Sequence, residues 1–467
     1  LLVEQSPEAL RETDSVTENS ALHIAISKQS LGALLSAAPA NLLDLNQKNK
    51  SGVAPLHVHA RKRQLDCVVT LASYGAELNI QDSDGNTGLH IAATNNDLDI
   101  LKSLLVLGAD PNIANKKGET PRHIAANLKF PEGRSAIIKC LVLCGANRCA
   151  VGTEGCADGC NSEGADKQTE KHSPATDPRD PIGLTDFKQK QNCKRVLESG
   201  SQNEGFALCL DGGGIRGLVT AQLLLAVEKR LKPGKSIINY VDWLAGTSTG
   251  AYVAAGLCLG LNLRQMQRIY LRFKDQVFEG WAKPYNVKIL ENFIRKELGE
   301  DSKLGDIQRP KLVITSVKAE KHPVSLELMR NYRLPQLSDE ENELLGYPDP
   351  KNQLVWKALR RTSAAPFYFP PAEGGYIDGG IIANNPTLDL LTEIQRVNTA
   401  LEFKGSAERH RLGYVLSIGT GKVPSQPIDA LDVDFAPGGV TPFGAAAAMA
   451  NLGFMFVDQF MSEVKKR

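Results

Sequence analysis

The sequence predicts an α/β chain in which an all-α repeat array precedes a layered α/β domain. Two observations carry the prediction: a recurrence of about 33 residues through the first 149 positions, and two strand–turn–helix passages after residue 205, one around a glycine loop and one around a serine. At 467 residues and 42% hydrophobic, the chain can build cores for two or three domains. Its net charge of +1 and pI near 7.7 give no global field to hold nucleic acid or an anionic membrane, so binding must come from local patches. Apolar stretches such as "AYVAAGLCLGL" (251–261) fall short of the roughly 20 residues that cross a bilayer, and the N-terminus has no signal-peptide pattern. A soluble, cytoplasmic protein is expected.

The repeat is read from "SALHIAI", "APLHVHA", "TGLHIAA" and "TPRHIAA", which place histidines at 23, 57, 90 and 123. A second marker, "GAE", "GAD" and "GAN", begins at Gly75, Gly108 and Gly145. Its last interval is four residues longer, and the loop near "FPEG" (130–133) is the simplest place for the extra residues. This pattern resembles the ankyrin repeat, a turn and two antiparallel helices per unit. Such units bury their apolar faces only by stacking, and the stack offers a concave surface to protein partners. The resemblance also implies that residues 1–149 are an N-terminally incomplete array. Each repeat histidine is expected to bond its own turn.

Residues 150–204 shift to Gly, Ser, Asp, Lys and Glu with "SPATDPRDP", the composition of an extended, flexible linker. Nine cysteines, an odd number, fit a reducing compartment. Cys149, Cys156 and Cys160 could be imagined with His172 as zinc ligands, but their spacing matches no standard motif. Free thiols in a flexible segment are expected, with no metal and no cofactor.

The chemistry lies in residues 205–467. "FALCL" (206–210) reads as a buried strand, "DGGGIRG" as a glycine loop and "LVTAQLLLAVEKRL" as a helix, so the loop amides form a cradle for an anion. Gly212, Gly214 and Gly217 also satisfy G-x-G-x-x-G, and Asp242 lies 25 residues beyond Gly217, which keeps a dinucleotide site in competition. What weighs against it is the next passage: strand "NYVDWLA", then "GTSTG", then helix "AYVAAGLCLGL". A nucleophile elbow needs that order, because its serine sits in a strained turn with small neighbours, here Gly246 and Gly250 around Ser248. A serine hydroxyl is a poor nucleophile without a base. Only His322 and His410 follow it, both in polar surroundings, whereas Asp378 in "YIDGG" ends an apolar run before Gly379 and Gly380. A carboxylate in an apolar pocket has its pKa raised toward the range of a general base.

"DGGGIRG", "GTSTG" and "DGG" in this order resemble the patatin-like phospholipase family, over essentially everything from Gly205 onward. The resemblance implies a three-layer α/β/α domain and a Ser-Asp dyad without histidine, which falls here on Ser248 and Asp378. It places the oxyanion hole on Gly212, Gly213 and Gly214 with Arg216 beside it. It implies ester cleavage of glycerophospholipids through an acyl-enzyme, with lysophospholipids as further substrates. No EF-hand loop or clustered carboxylate set is visible, in keeping with calcium-independent catalysis. The family's domain runs on past residue 467, so a C-terminal truncation is also implied. An ankyrin scaffold with a non-catalytic, lipid-binding domain is the alternative.

Weaker signals complete the reading. "SIGTG" (417–421) is taken as a structural strand and turn, and Asn384, Asn385 and Pro386 as residues that shape the aspartate loop. "PFYFPP" (366–371) and "WAKPY" (281–285) suit either core or peripheral membrane contact. Arg264, Arg268, Arg272 and Lys274 form a basic helical face, by default solvated. The final stretch carries Met449, Leu452, Phe456 and Phe460 at helical spacing before a basic end; residues alone favour a packed core or dimer helix. The resemblance adds calmodulin as a partner, alongside a homo-oligomer dimerised through the catalytic domain.

Overall fold

The computed structural model describes residues 10–38, 42–129, 131–148, 156, 160, 204–232, 234–277, 284–320 and 322–421. The chain divides into two compact units, Leu1–Leu184 and Thr185–Arg467, with the boundary inside the stretch expected to be a linker. The C-terminal helical stretch and His172 lie outside the described residues.

In the first unit the recurrence becomes four helix pairs: α1 (Ala21–Ile24) and α2 (Lys28–Ala37), α3 (Pro55–Arg61) and α4 (Leu65–Tyr74), α5 (Gly88–Thr94) and α6 (Leu98–Leu107), α7 (Pro121–Ala126) and α8 (Pro131–Leu143). Gly75 and Gly108 end α4 and α6 with φ of 107° and 108°, a left-handed conformation that an L side chain resists, which explains the "GA" marker. The loop before α8 gains only one residue over its counterparts; most of the extra length goes into the helix, since α8 has 13 residues where α4 and α6 have 10.

The histidines do bond their own turns, Nδ1 accepting from the backbone N–H of Ser20, Ala54, Thr87 and Thr120 at 3.1 Å. They also stitch the units together. Nε2 of His23, His57 and His90 donates to the carbonyls of Val53, Ile80 and Glu119, each at 2.9 Å. Burial holds the pKa of these three rings below the usual histidine value, which favours the neutral tautomer that this double role needs.

Cys156 and Cys160 depart from the expectation of loose thiols. Cys160 is buried in the core of the repeat unit and Cys156 packs against that core.

The second unit is built on a six-stranded sheet: β1 (Glu204–Leu210), β2 (Trp243–Thr247), β3 (Lys311–Lys318), β4 (Ser325–Arg330), β5 (Tyr376–Asp378) and β6 (Arg411–Ile418). The order is β4-β3-β2-β1-β6, with β5 also on β3. β1, β2, β3 and β6 run parallel, while β4 and β5 pair antiparallel to β3.

Strand periodicity sorts the sheet side chains onto two faces. Leu208, Leu210, Leu244, Leu312 and Ile314 pack with Leu224, Val253, Met266, Phe293 and Leu359 from α9 (Gly217–Glu228), α10 (Thr249–Cys258), α11 (Leu263–Val277), α12 (Val287–Leu298) and α14 (Val355–Thr362). Ala207, Cys209, Trp243, Ala245 and Val313 pack on the other side with Leu390, Ile394 and Val397 of α16 (Thr387–Phe403). The result is three layers, α/β/α. Among the described residues the remaining short helices are α13 (Asp339–Leu344) and α15 (Gly380–Ala383). Among the described residues no helix is long and apolar enough to cross a membrane.

Two local expectations shift. β2 starts at Trp243 rather than residue 239, after a 3-10 turn at Ile237–Asn239. Arg272 of the basic face is not simply solvated: it pairs with Glu297 at 2.5 Å, both side chains largely buried.

Replacing His57 with alanine strands the Ala54 amide and the Ile80 carbonyl in a fully buried site. The repeat unit should lose about 2–4 kcal/mol, measured by urea unfolding. Unchanged stability would mean that the inter-unit bond is not what couples the repeats.

Candidate active site

Three chain passages converge where the parallel strands end. β2 pairs with β3 up to Thr247 opposite Thr315, and β5 pairs with β3 from Lys318 back to Asp378 opposite Ser316. β4 occupies one edge of β3 along residues 313–318, so β2 and β5 share the other edge and approach each other head-on. Ser248 is the first residue past β2, and Asp378 is the last of β5. That topology is what unites residues 130 positions apart.

Ser248 Oγ donates to Asp378 Oδ2 at 2.8 Å. The serine has φ 48° and ψ −117°, a conformation that costs a non-glycine residue of order 1–3 kcal/mol and persists only where its surroundings enforce it. They do: its N–H donates to Thr362 Oγ1 at 2.8 Å, and Thr249 Oγ1 donates to Tyr270 at 2.8 Å. The small neighbours are sterically required. A Cβ on Gly250 would meet the Leu210 carbonyl oxygen at 2.2 Å, and one on Gly246 would meet the Ala251 backbone at 2.6 Å.

Asp378 is held from the opposite side. Its backbone N–H donates to Ala364 O at 3.0 Å, and Oδ1 accepts the N–H of Gly380 at 2.7 Å. A Cβ on Gly379 would strike Thr315 Oγ1 at 2.3 Å, so glycine lets β5 close on β3. Burial pushes the Asp378 carboxyl up to about 6, against the lowering influence of the Gly380 and Ser248 hydrogen bonds.

The glycine loop follows β1 and leads through a 3-10 turn, Gly214–Arg216, into α9. Gly212 departs from its expected part as an oxyanion donor, because its N–H donates to Asn384 O at 3.0 Å. Gly213 and Gly214 lie farther out, and Arg216 leans back on Gly213 O through Nε at 3.3 Å. Thr420 Oγ1 donates to Gly212 O at 2.9 Å, which gives "SIGTG" its structural role. A Cβ on Gly213 would fall 2.2 Å from that hydroxyl. Asn385 donates to Ser417 Oγ at 2.9 Å, so the asparagines tie the aspartate loop to both neighbours.

Other candidates stay apart from this cluster. His322 is exposed, and His410 lies in an exposed segment with its ring edge-on to Trp243 at 5.5 Å. Asp242 precedes β2, where its carboxylate accepts the Phe206 N–H at 3.0 Å and pairs with Arg309 at 3.0 Å. An acid that reads a dinucleotide ribose belongs at the carboxyl end of the strands, so Asp242 sits at the wrong edge. Thr362 escaped sequence reading because its only signal, a hydroxyl ending an amphipathic helix, is common.

Two comparisons match this architecture. A profile described as "Patatin-like phospholipase" matches residues 208–391, and one described as "Ankyrin repeats (many copies)" matches residues 71–125. The chain carries a patatin-like domain behind ankyrin repeats. The patatin-like domain and its repeats together are 38% identical to "Intracellular phospholipase A2" of Caenorhabditis elegans over 98% of this chain and 43% of that protein. Over 262 residues, 54% of the chain and 31% of the relative, the chain is 42% identical to "85/88 kDa calcium-independent phospholipase A2" of Mus musculus. A "cGAMP-activated phospholipase" of Vibrio cholerae is 28% identical over 42% of this chain and 59% of its own length. The chain thus spans less than half of the first two relatives.

The raised Asp378 pKa has a stability consequence of definite sign. A carboxyl with a folded pKa of about 6 favours its protonated form, so its contribution is complete below about pH 4 and is lost as pH rises through 6. Asp378→Asn should therefore stabilise the patatin-like domain at pH 8, by on the order of 2 kcal/mol, and leave it unchanged at pH 4. Thermal melts at the two pH values check this, and equal effects at both would contradict the shift.

Proposed function

We propose that the protein is a calcium-independent serine acyl hydrolase that cleaves fatty acyl esters of glycerophospholipids, with lysophospholipids as further substrates. The observation that carries this reading is the 2.8 Å hydrogen bond from a strained serine to a buried carboxylate whose pKa lies near 6. The relatives' names support the substrate class and the independence from calcium.

Ser248 Oγ attacks the acyl carbonyl carbon while Asp378 takes its proton. The N–H groups of Gly213 and Gly214, with Arg216 beside them, hold the oxyanion, each donor contributing roughly 3 kcal/mol. Protonated Asp378 then gives its proton to the departing glycerol oxygen, and the acyl group stays on Ser248. Water attacks the acyl-enzyme with Asp378 again as base, freeing the fatty acid and restoring the serine. A base of pKa near 6 suits this cycle, because it is ionised at neutral pH yet still returns a proton readily.

The surroundings fit a peripheral lipid enzyme. Phe367, five residues past Thr362, is 79% exposed, whereas Phe369 is core. "PFYFPP" thus divides between the two roles its composition allowed, and Phe367 is the side chain suited to enter a bilayer surface. The stack suits protein partners on its concave face. A dimer through the catalytic domain, calmodulin on the basic C-terminal stretch and a cytoplasmic setting complete the proposal. The name "Intracellular phospholipase A2" of one relative supports the last of these.

Ser248→Ala should abolish fluorophosphonate labelling and lower phospholipid hydrolysis by at least ~10³-fold, while His322→Ala and His410→Ala leave both intact. For the wild type, kcat/KM should rise with pH through about 6, falling roughly tenfold from its plateau by pH 5. Labelling that survives Ser248→Ala, or lost activity in a histidine variant with Asp378→Asn active, would overturn the assignment.

A further inference from the structure

We propose that the last ankyrin unit carries a zinc site formed by His123, Cys156 and Cys160. One ligand atom from each of the three residues lies within 4.8 Å of the others. Two sulfurs and an imidazole nitrogen are the donor set that soft, tetrahedral Zn²⁺ selects, and three protein ligands leave the fourth position to solvent. Three residues separate the two cysteines, within the range that zinc sites use.

The repeat register explains why these groups meet here. Leu22, Leu56 and Leu89 precede the first three histidines, and all are fully buried among the stacked helices. The fourth unit places Arg122 at that register, also fully buried. A guanidinium cannot be buried without partners, and its Nε donates to the Cys160 carbonyl. The Cys160 carbonyl thus lies against the fourth unit, at the register where the earlier units bury leucine.

His123 is oriented for the task. Its Nδ1 lies 2.8 Å from Thr120 Oγ1, so Nε2 is the nitrogen a metal takes. On binding, the ring proton resides on Nδ1 and is donated to Thr120 Oγ1, as ligating histidines commonly do, and the bond from the Thr120 N–H is given up. Both thiols lose their protons, about two are released per metal, and no electrons move. The site fastens Cys156 and Cys160 to the fourth unit.

The test uses the whole chain, purified without chelator. Elemental analysis should give about one zinc per chain, and cobalt replacement should give a thiolate-to-metal charge-transfer band. Cys156→Ser, Cys160→Ser and His123→Ala should each weaken zinc binding at least tenfold in competition with a chromogenic chelator, while Cys144→Ser, an exposed thiol in the same unit, should not. The wild-type cobalt spectrum requires no variant to fold. Absence of metal from folded wild type after zinc exposure, a Cys156–Cys160 disulfide in freshly isolated protein, or an unchanged affinity in both cysteine variants would each overturn the site.

Discussion

The geometry of the proposed active site depends on two strands meeting end to end along one edge of β3. β2 arrives parallel and stops at Thr247; β5 arrives antiparallel and stops at Asp378, opposite adjacent residues of the same strand. Because ladder spacing is fixed by backbone hydrogen bonds, the residues at those two ends have little freedom in separation. The serine–carboxylate contact is thus a property of sheet topology first and of side chains second. Burial at the end of β5 matters as well, since it raises the Asp378 pKa.

Glycine does different work at each position. At Gly246, Gly250 and Gly379 it permits backbone to approach backbone, and a methyl group there would separate the elements that carry Ser248 and Asp378. At Gly213 the space is taken by Thr420, whose hydroxyl also fixes the Gly212 carbonyl. The glycine loop is therefore held from three directions: by Asn384 after β5, by Thr420 after β6, and by the helix it opens. A loop so held keeps its remaining amides oriented, which is the preorganisation that the proposed oxyanion role requires.

Much of this was legible in the sequence because the signals are local. The 33-residue histidine interval predicted the stacked helix pairs, and the strand–turn–helix order around Ser248 predicted the elbow, whose positive φ is what its small neighbours permit. Asp378 was readable from an apolar run ending in two glycines. What escaped was what only tertiary contacts decide. Nothing in "DGGGIRG" reveals that the first amide is used by Asn384, or that Thr362 anchors the serine backbone. The basic face looked solvated because Glu297 sits 25 residues from its partner Arg272. The cysteines looked loose because the histidine they meet is one of four that share a structural task elsewhere in the stack.

The account rests on a carboxyl whose proton affinity is set by burial beside Ser248, and that affinity is directly observable. Difference infrared spectroscopy of the wild type against Asp378→Asn, titrated from pH 4 to 8, isolates the protonated carboxyl band of this one residue. The band should disappear with a midpoint near pH 6. A midpoint at the ordinary aspartate value of about 4 would mean a solvated group, and the account of Asp378 as the tuned base would be wrong.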